Sequence, residues 1–199
     1  MKSKAQQLFN LVKKQGVIRP KDLALEGIPQ QYLWYFYRQG KLQRVGRGLY
    51  LLPTKTITEH HSLAEAAKRV PRGIICLLSA LRFYQLTTQS PFEVWLAIDR
   101  KAHKPISNDL PLHIVRFSGE VLSAGIAEHT IEGVRVKIYK PAKTVADCFR
   151  YRNKIGVDIA VEALRDCLKK RLATIDEIWY YAKICRVARI IQPYLEAIL

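Results

Sequence analysis

The sequence predicts an α+β protein in two parts. Residues 1–55 read as a basic, mostly helical region closed by a short hairpin, and residues 56–199 as a mixed α/β region ending in a helical bundle. Three observations predict it. Apolar residues recur at helical spacing through the first forty positions, then yield to two β-prone runs punctuated by glycine. Strand-like apolar runs concentrate between about 92 and 140. From about 141 onward the spacing is helical again.

Element by element, KAQQLFNLVKKQG sets Ala5, Leu8, Phe9, Leu11 and Val12 on one helical side, with Gly16 as its stop. Val17-Ile18 reads as a short extended piece. Pro20 suits a first helical turn, so PKDLAL forms a brief second helix before a turn at Glu26-Gly27. A third helix runs from about Pro29 to Gln39 and is closed by Gly40. Its core side is expected to carry Leu33, Phe36 and Tyr37, with Ile28 before it and Tyr32 beside it. Gln30, Gln31, Trp34, Tyr35 and Arg38 fall on the other side, which holds no acid. KLQRVGRGLYLL then supplies two runs joined through Gly46-Arg47, a hairpin in which glycine permits positive φ.

Helix, strand, helix, turn, helix and hairpin are the order of a winged helix-turn-helix. In that arrangement a helix enters the major groove of duplex DNA, where Gln pairs with adenine and Arg with guanine. The residues expected at the DNA are Arg19, Lys21, Gln30, Gln31, Trp34, Tyr35, Arg38, Lys41, Arg44 and Arg47. Trp34 and Tyr35 suit sugars or thymine methyls. Arg44 and Arg47 on the hairpin suit phosphates or the minor groove, and Gly46 and Gly48 allow close backbone approach. Charge agrees with this placement. The net charge is +16, and residues 1–55 hold eleven Lys/Arg against Asp22 and Glu26, more than half of the excess. Such a balance favours a polyanionic partner. The alternative for the same fold is a protein-interaction module with a solvated basic face.

The second part follows PTKTIT, the one plausible linker. TITEHHSLAEAAKRV is helical in pattern, with Ser62 and Glu65 spaced as a capping box. GIICLLSALRFYQL is an apolar helix candidate. FEVWLAID and LHIVRFS read as buried strands, and HTIEGVRVKIYK as a hairpin turning near Glu132-Gly133 with Val134, Val136 and Ile138 on one side. AKTVADCFRYR, GVDIAVEALRDCLKKR and ATIDEIWYYAKICRVARIIQPYLEAIL are helical, the last opened by a Thr174/Glu177 capping box.

Little in this part suggests catalysis. Asp99 and Lys101 form the D-x-K half of a metal-dependent nuclease site, which would need Glu93 or Asp109 as a further carboxylate. That nuclease is the second functional alternative; a charged strand end is the simpler explanation. His60-His61 lacks the spacing of a helical zinc site, and His103, His113 and His129 are isolated. No phosphate-cradling or nucleophile-elbow motif occurs, so no catalytic residue, metal or cofactor is assigned. Cys76, Cys148, Cys167 and Cys185 are far apart and read as buried thiols in a reducing compartment. No run reaches membrane-spanning length and MKSKAQQLFN lacks a signal-peptide core, so the expectation is a cytoplasmic protein without a membrane partner. Arg150, Arg152 and Lys154, with Lys169, Lys170 and Arg171, form basic clusters at helix ends that suit a helix C-terminus or a partner.

Across nearly its whole length the chain resembles the AbiEi family of antitoxins, transcriptional regulators of type IV toxin–antitoxin and phage-defence systems. YRQGKLQRVGRGLYLLP, GIICLLSAL, VWLAID, EGVRVKIYKPAKTVADCFRYRNKIGVDIAVEALR and YAKICRVARIIQPYLEAIL carry the resemblance. KTVADCF and PYLEAIL are its more specific parts. The resemblance implies an autorepressor that binds inverted repeats in its own promoter, a double-stranded DNA partner. It implies antitoxin activity in the second part, for which the basic clusters at 150–154 and 169–171 are the candidate surface. It also implies an AbiEii-type nucleotidyltransferase toxin, counteracted without a stable complex, and no catalytic residues.

Overall fold

The computed structural model describes residues 3–53, 58–105 and 110–198. Most of PTKTIT, including Lys55, and the carboxylate candidate Asp109 lie outside the described residues. Among those described, the chain is α+β with eleven helices and two sheets. It divides into two compact units. The first comprises Met1–Pro71, Ser107–Leu110 and His129–Val136, and the second Arg72–Ile106, Pro111–Glu128 and Lys137–Leu199.

The first unit opens with α1, Lys4–Gln15. The Ser3 hydroxyl accepts from the Gln6 N–H at 3.2 Å, Lys13 and Lys14 sit in the last turn, and Gly16 ends the helix at φ 72°. Helices α2, Pro20–Leu25, and α3, Gln31–Arg38, follow. Leu8, Val12, Ile18, Leu23, Ile28, Leu33, Phe36 and Leu42 form their common core. Tyr37 does not join it: it is 43% exposed, because its ring turns to Tyr50 on the hairpin, edge-on at 6.1 Å, while Phe36 is buried. Strands β1, Gln43–Gly46, and β2, Leu49–Leu51, make the hairpin, whose turn is Arg47-Gly48 with Gly48 at φ 69°. Ile18 bridges Tyr50 and carries the extended piece onto the hairpin edge.

Helix α4, His61–Arg69, also belongs to this unit. It begins one residue before Ser62, so Ser62 is inside the helix and the expected capping box is absent; Glu65 instead bonds Arg69 at 2.7 Å. The last piece is the tip of the hairpin between β6, Ile126–Ile131, and β7, Val134–Tyr139. The Glu132 carboxylate there accepts from the Thr58 N–H at 2.8 Å and hydroxyl at 3.0 Å, and pairs with His61 Nδ1 at 2.7 Å. Gly133, at φ 83°, lies so close to α1 that a Cβ would sit 2.9 Å from the Gly16 nitrogen.

The second unit is built on the sheet β5-β4-β3-β7-β6. Its β3, Ile74–Ile75, comes from a stretch expected to be helical throughout. Gly73 sits where any Cβ would collide with Leu96, and Ile74-Ile75 pair antiparallel with Ala97-Leu96 and parallel with Ile138. Leu77 then takes φ 45° and α5, Leu77–Phe83, begins. Strands β4, Val94–Asp99, and β5, Leu112–Phe117, run parallel. After the short α6, Glu120–Ser123, and the β6–β7 hairpin, α7, Pro141–Arg150, is buried at every position from 142 to 149. Helices α8, Arg152–Ile155, α9, Val157–Lys169, α10, Ile175–Ile184, and α11, Ala188–Ile198, complete the unit. The Thr174/Glu177 capping box forms, and a turn at Arg186, φ 58°, breaks the terminal helical stretch in two.

Candidate nucleic-acid interface

The local sequence explains how α3 comes to present its outer face. Arg19 is extended, Pro20 supplies the preset φ of a first helical position, and the Asp22 carboxylate accepts the Arg19 N–H at 2.9 Å. Glu26 and Gly27, φ 60°, turn the chain, and buried Ile28 anchors the entry to α3. At the far end Gly40, φ 68°, lets the Lys41 and Leu42 N–H groups return to the Phe36 carbonyl. Phe36 is the pin: its ring meets Phe9 at 4.8 Å, Tyr35 at 5.1 Å and Tyr32 at 5.9 Å. That answers for the inner aromatics. Outside, Trp34 is 56% and Tyr35 52% exposed, and Gln30, Gln31 and Arg38 are exposed with them. Gln31, Tyr32, Trp34 and Tyr35 line an open pocket of about 440 Å³.

Electrostatics in the unit leave this face basic. Asp22 is buried against Arg19 Nη2 at 3.2 Å and Lys68 Nζ at 3.2 Å. Burial works to raise its carboxyl, but the Arg19 N–H and guanidinium and the Lys68 ammonium outweigh it and hold the pKa below the ordinary value. Burial lowers that of Lys68, with Asp22 opposing. One of the two acids in residues 1–55 is thus neutralised internally, and only Glu26 remains exposed. Arg19 is spent in the same network. Its guanidinium also donates to the Lys68 carbonyl, so it ties α2 to α4 instead of facing outward.

The remaining residues expected at DNA fall on exposed positions: Lys21 on α2, Lys41 after α3, Arg44 on β1 and Arg47 in the hairpin turn. Arg44 Nε donates to the Gly46 carbonyl at 3.2 Å. Gly46 has a different reason from the one its sequence suggests. A Cβ there would lie 2.6 Å from Glu65 Oε1 and 3.0 Å from Arg69 Nη2, so the glycine lets the strand cross the Glu65–Arg69 pair. The i, i+4 spacing marked that pair; nothing local marked its contact with the hairpin.

Residues 6–53 match the family described as transcriptional regulator, AbiEi antitoxin. The match runs from within α1 to just beyond the hairpin, so the exposed α3 face lies inside the matched segment. None of the curated proteins compared with the chain matches it. Among solved structures, the RV2827C protein from Mycobacterium tuberculosis is similar at 14% identity with a TM-score of 0.57, over 96% of this chain and 79% of that one. That likeness is one of fold.

In the second unit the basic clusters divide. Arg150 donates to the Cys185 carbonyl at 3.2 Å, Arg152 to that of Phe149 at 3.0 Å, and Lys170 to that of Gln85 at 2.5 Å. These cations satisfy carbonyls. Lys154 lies 5.5 Å from the Tyr151 ring, and Lys169 and Arg171 are exposed. A further basic corner was not anticipated: Lys183, Arg186 and Arg189, with Ala188 and Ile190, line an open pocket of about 560 Å³ where α10 meets α11. Among the described residues the nuclease alternative gains no geometry. Asp99 accepts the Lys101 N–H at 2.8 Å in a turn whose carbonyls at Arg100 and Ala102 are held by Arg116. Glu93, paired with His113 at 3.0 Å, precedes the opposite end of β4, about 20 Å away along an extended strand. The two carboxylates cannot share a metal.

The sequence also hid a buried ion pair. On α7 Lys143 Nζ lies 2.6 Å from Asp147 Oδ2, both side chains fully buried. The ammonium stands 4.2 Å from the Tyr139 ring and 5.0 Å from Phe117, and the Cys185 thiol donates to Asp147 Oδ1 at 3.2 Å. Burial raises the Asp147 carboxyl despite the ammonium. Burial also pushes up all four thiols, Cys167 to about 11, which keeps them protonated and inert. Among the described residues no cluster of ligands suits a metal ion, and no helix is long and apolar enough to cross a membrane.

Proposed function

We propose that the protein is a winged helix-turn-helix autorepressor and antitoxin of a type IV toxin–antitoxin system. Helix α3 enters the major groove of its own promoter, at inverted repeats, with Gln30, Gln31, Trp34, Tyr35 and Arg38 toward the bases. Lys21, Lys41, Arg44 and Arg47 contact the backbone or minor groove. The observation that carries this reading is the exposed, acid-free outer face of α3 lying within the segment that matches a transcriptional regulator. Residues beyond the hairpin supply the antitoxin activity against an AbiEii-type nucleotidyltransferase without a stable complex, and Lys154, Lys169 and Arg171 are its outward cations.

The test is fluorescence anisotropy with the protein's own upstream promoter and a shuffled duplex of equal length. Log affinity should fall by roughly 0.9 per phosphate contact for each tenfold rise in salt. Arg44→Ala with Arg47→Ala should weaken both duplexes together and reduce that slope by about 1.8, two contacts' worth. Binding to the promoter no tighter than to the shuffled duplex would refute the reading.

A further inference from the structure

Trp34 and Arg38 are one turn apart on α3, and the Arg38 guanidinium carbon lies 4.5 Å from the centre of the Trp34 ring. At that distance the cation lies over the face of the indole, in cation–π contact. Both side chains are exposed, so this contact is not forced by burial. Among the described residues no carboxylate pairs with Arg38, and Asp22 is held by Arg19 and Lys68. The guanidinium is therefore held against the ring, and among the described residues no hydrogen bond or ion pair engages its N–H groups. A rigid fork of donors in that state matches the two acceptors, O6 and N7, that guanine shows in the major groove. A phosphate needs no such fixing, because a flexible cation reaches it in many orientations. Gln31, Trp34 and Arg38 fall on one stripe of the helix at i, i+3 and i+7. Gln31 and Arg38 are then about 10 Å apart, about three base-pair steps.

Resting on the reading that α3 enters the major groove, we propose that Trp34 is the positioning residue for Arg38. Stacking holds Arg38 as a preset bidentate reader of one guanine, about three steps from an adenine read by Gln31. Trp34 itself contributes orientation and little nonspecific affinity. Specificity at this end of the site depends on the aromatic face behind the arginine.

The experiment uses the full chain, the promoter duplex, the same duplex with 7-deazaguanine in place of guanine, and a shuffled duplex. Removing N7 should weaken the wild type by about 5- to 100-fold. Trp34→Leu should weaken promoter binding by about fivefold more than it weakens shuffled-duplex binding, with the salt slope unchanged. Trp34→Phe, which restores a ring face, should recover most of the loss. In an Arg38→Ala background Trp34→Leu should add nothing. Thermal melts of each variant check that folding is intact. Equal losses on both duplexes, additive losses with Arg38→Ala, or indifference to 7-deazaguanine would each overturn the positioning role, even with promoter-selective binding intact. Absence of promoter selectivity in the wild type would overturn the DNA reading itself, and this inference with it.

Discussion

Replacing one partner of the Lys143–Asp147 pair should cost far more than replacing both. In Asp147→Leu the ammonium stays buried with only the Tyr139 and Phe117 ring faces as compensation. In Lys143→Met the carboxylate keeps the Cys185 thiol and the charge of Arg150 nearby. Leaving a buried charge unpaired costs about 3–5 kcal/mol. Ring faces return up to about 2 kcal/mol to a desolvated cation, which puts Asp147→Leu near the lower end. Relaxation is restricted, because the Gly125 backbone lies so close to Lys143 that a Cβ would be 2.8 Å from the Lys143 Cβ. At about 4 °C per kcal/mol for a domain of this size, each single variant should melt about 12–20 °C lower. The double variant, with neither charge, should be more stable than either single one. Urea and thermal unfolding followed by circular dichroism read all four proteins. The Lys143→Met deficit should also depend on pH. Burial raises the pKa of the lone carboxylate above its unfolded value, so stability is fullest below the ordinary carboxylate range and falls as pH rises through the raised value. Single variants that each lose under about 1 kcal/mol and add in the double would refute the reasoning, since that is how a solvated pair behaves.

Two further outcomes follow from the units themselves. Asp22 and Glu132 both titrate below their ordinary values; burial opposes this, but hydrogen bonds and neighbouring cations prevail. Their stabilisation is present above the unfolded carboxylate pKa and is lost as pH falls through the folded one. Amide protection in the first unit, referred to the intrinsic exchange rate at each pH, should fall from about pH 5 downward, and Asp22→Asn with Glu132→Gln should flatten that acid limb. A fragment from Arg72 to the C-terminus, with Thr at Ile131 and Val134 to cover the vacated tip, should fold and fail to bind the promoter. It should still protect cells from the coexpressed toxin, and Glu at Lys154, Lys169 and Arg171 should abolish protection. A folded fragment without protection would place antitoxicity elsewhere.

Helix α2 and its turn were legible because Pro20, Asp22 and Gly27 each act locally, through φ and a capping carboxylate. The Thr174/Glu177 box was legible for the same reason, whereas Ser62/Glu65 failed because Arg69, one turn on, competes for the glutamate. Ile74-Ile75 became a strand through Leu96, Ala97 and Ile138, none of them near in sequence. The exposed stripe of α3 could be read from its periodicity, but Tyr37 could not, since its ring turns to Tyr50 on the hairpin while Phe36 is buried. Arg19 looked like a surface cation because its partner Lys68 lies on a helix forty-odd residues away. Long-range pairing accounts for the strand at Ile74-Ile75 and for Arg19, whereas the Ser62/Glu65 box was lost to a neighbour one turn away.

The first unit is written in separate places along the chain, and its last part ends at Val136. A ribosome that has finished Pro71 must add about 61 more residues before Glu132, the partner of Thr58 and His61, exists. At about 5–20 residues per second that is roughly 3–12 s, long compared with the formation of α1 to α3. Chains released early carry α3 but lack Glu132 and the Gly133 seat against α1. Incomplete translation products therefore lack part of the first unit, and on the DNA-binding reading proposed above, occupancy of the operator would report finished protein instead of initiated synthesis.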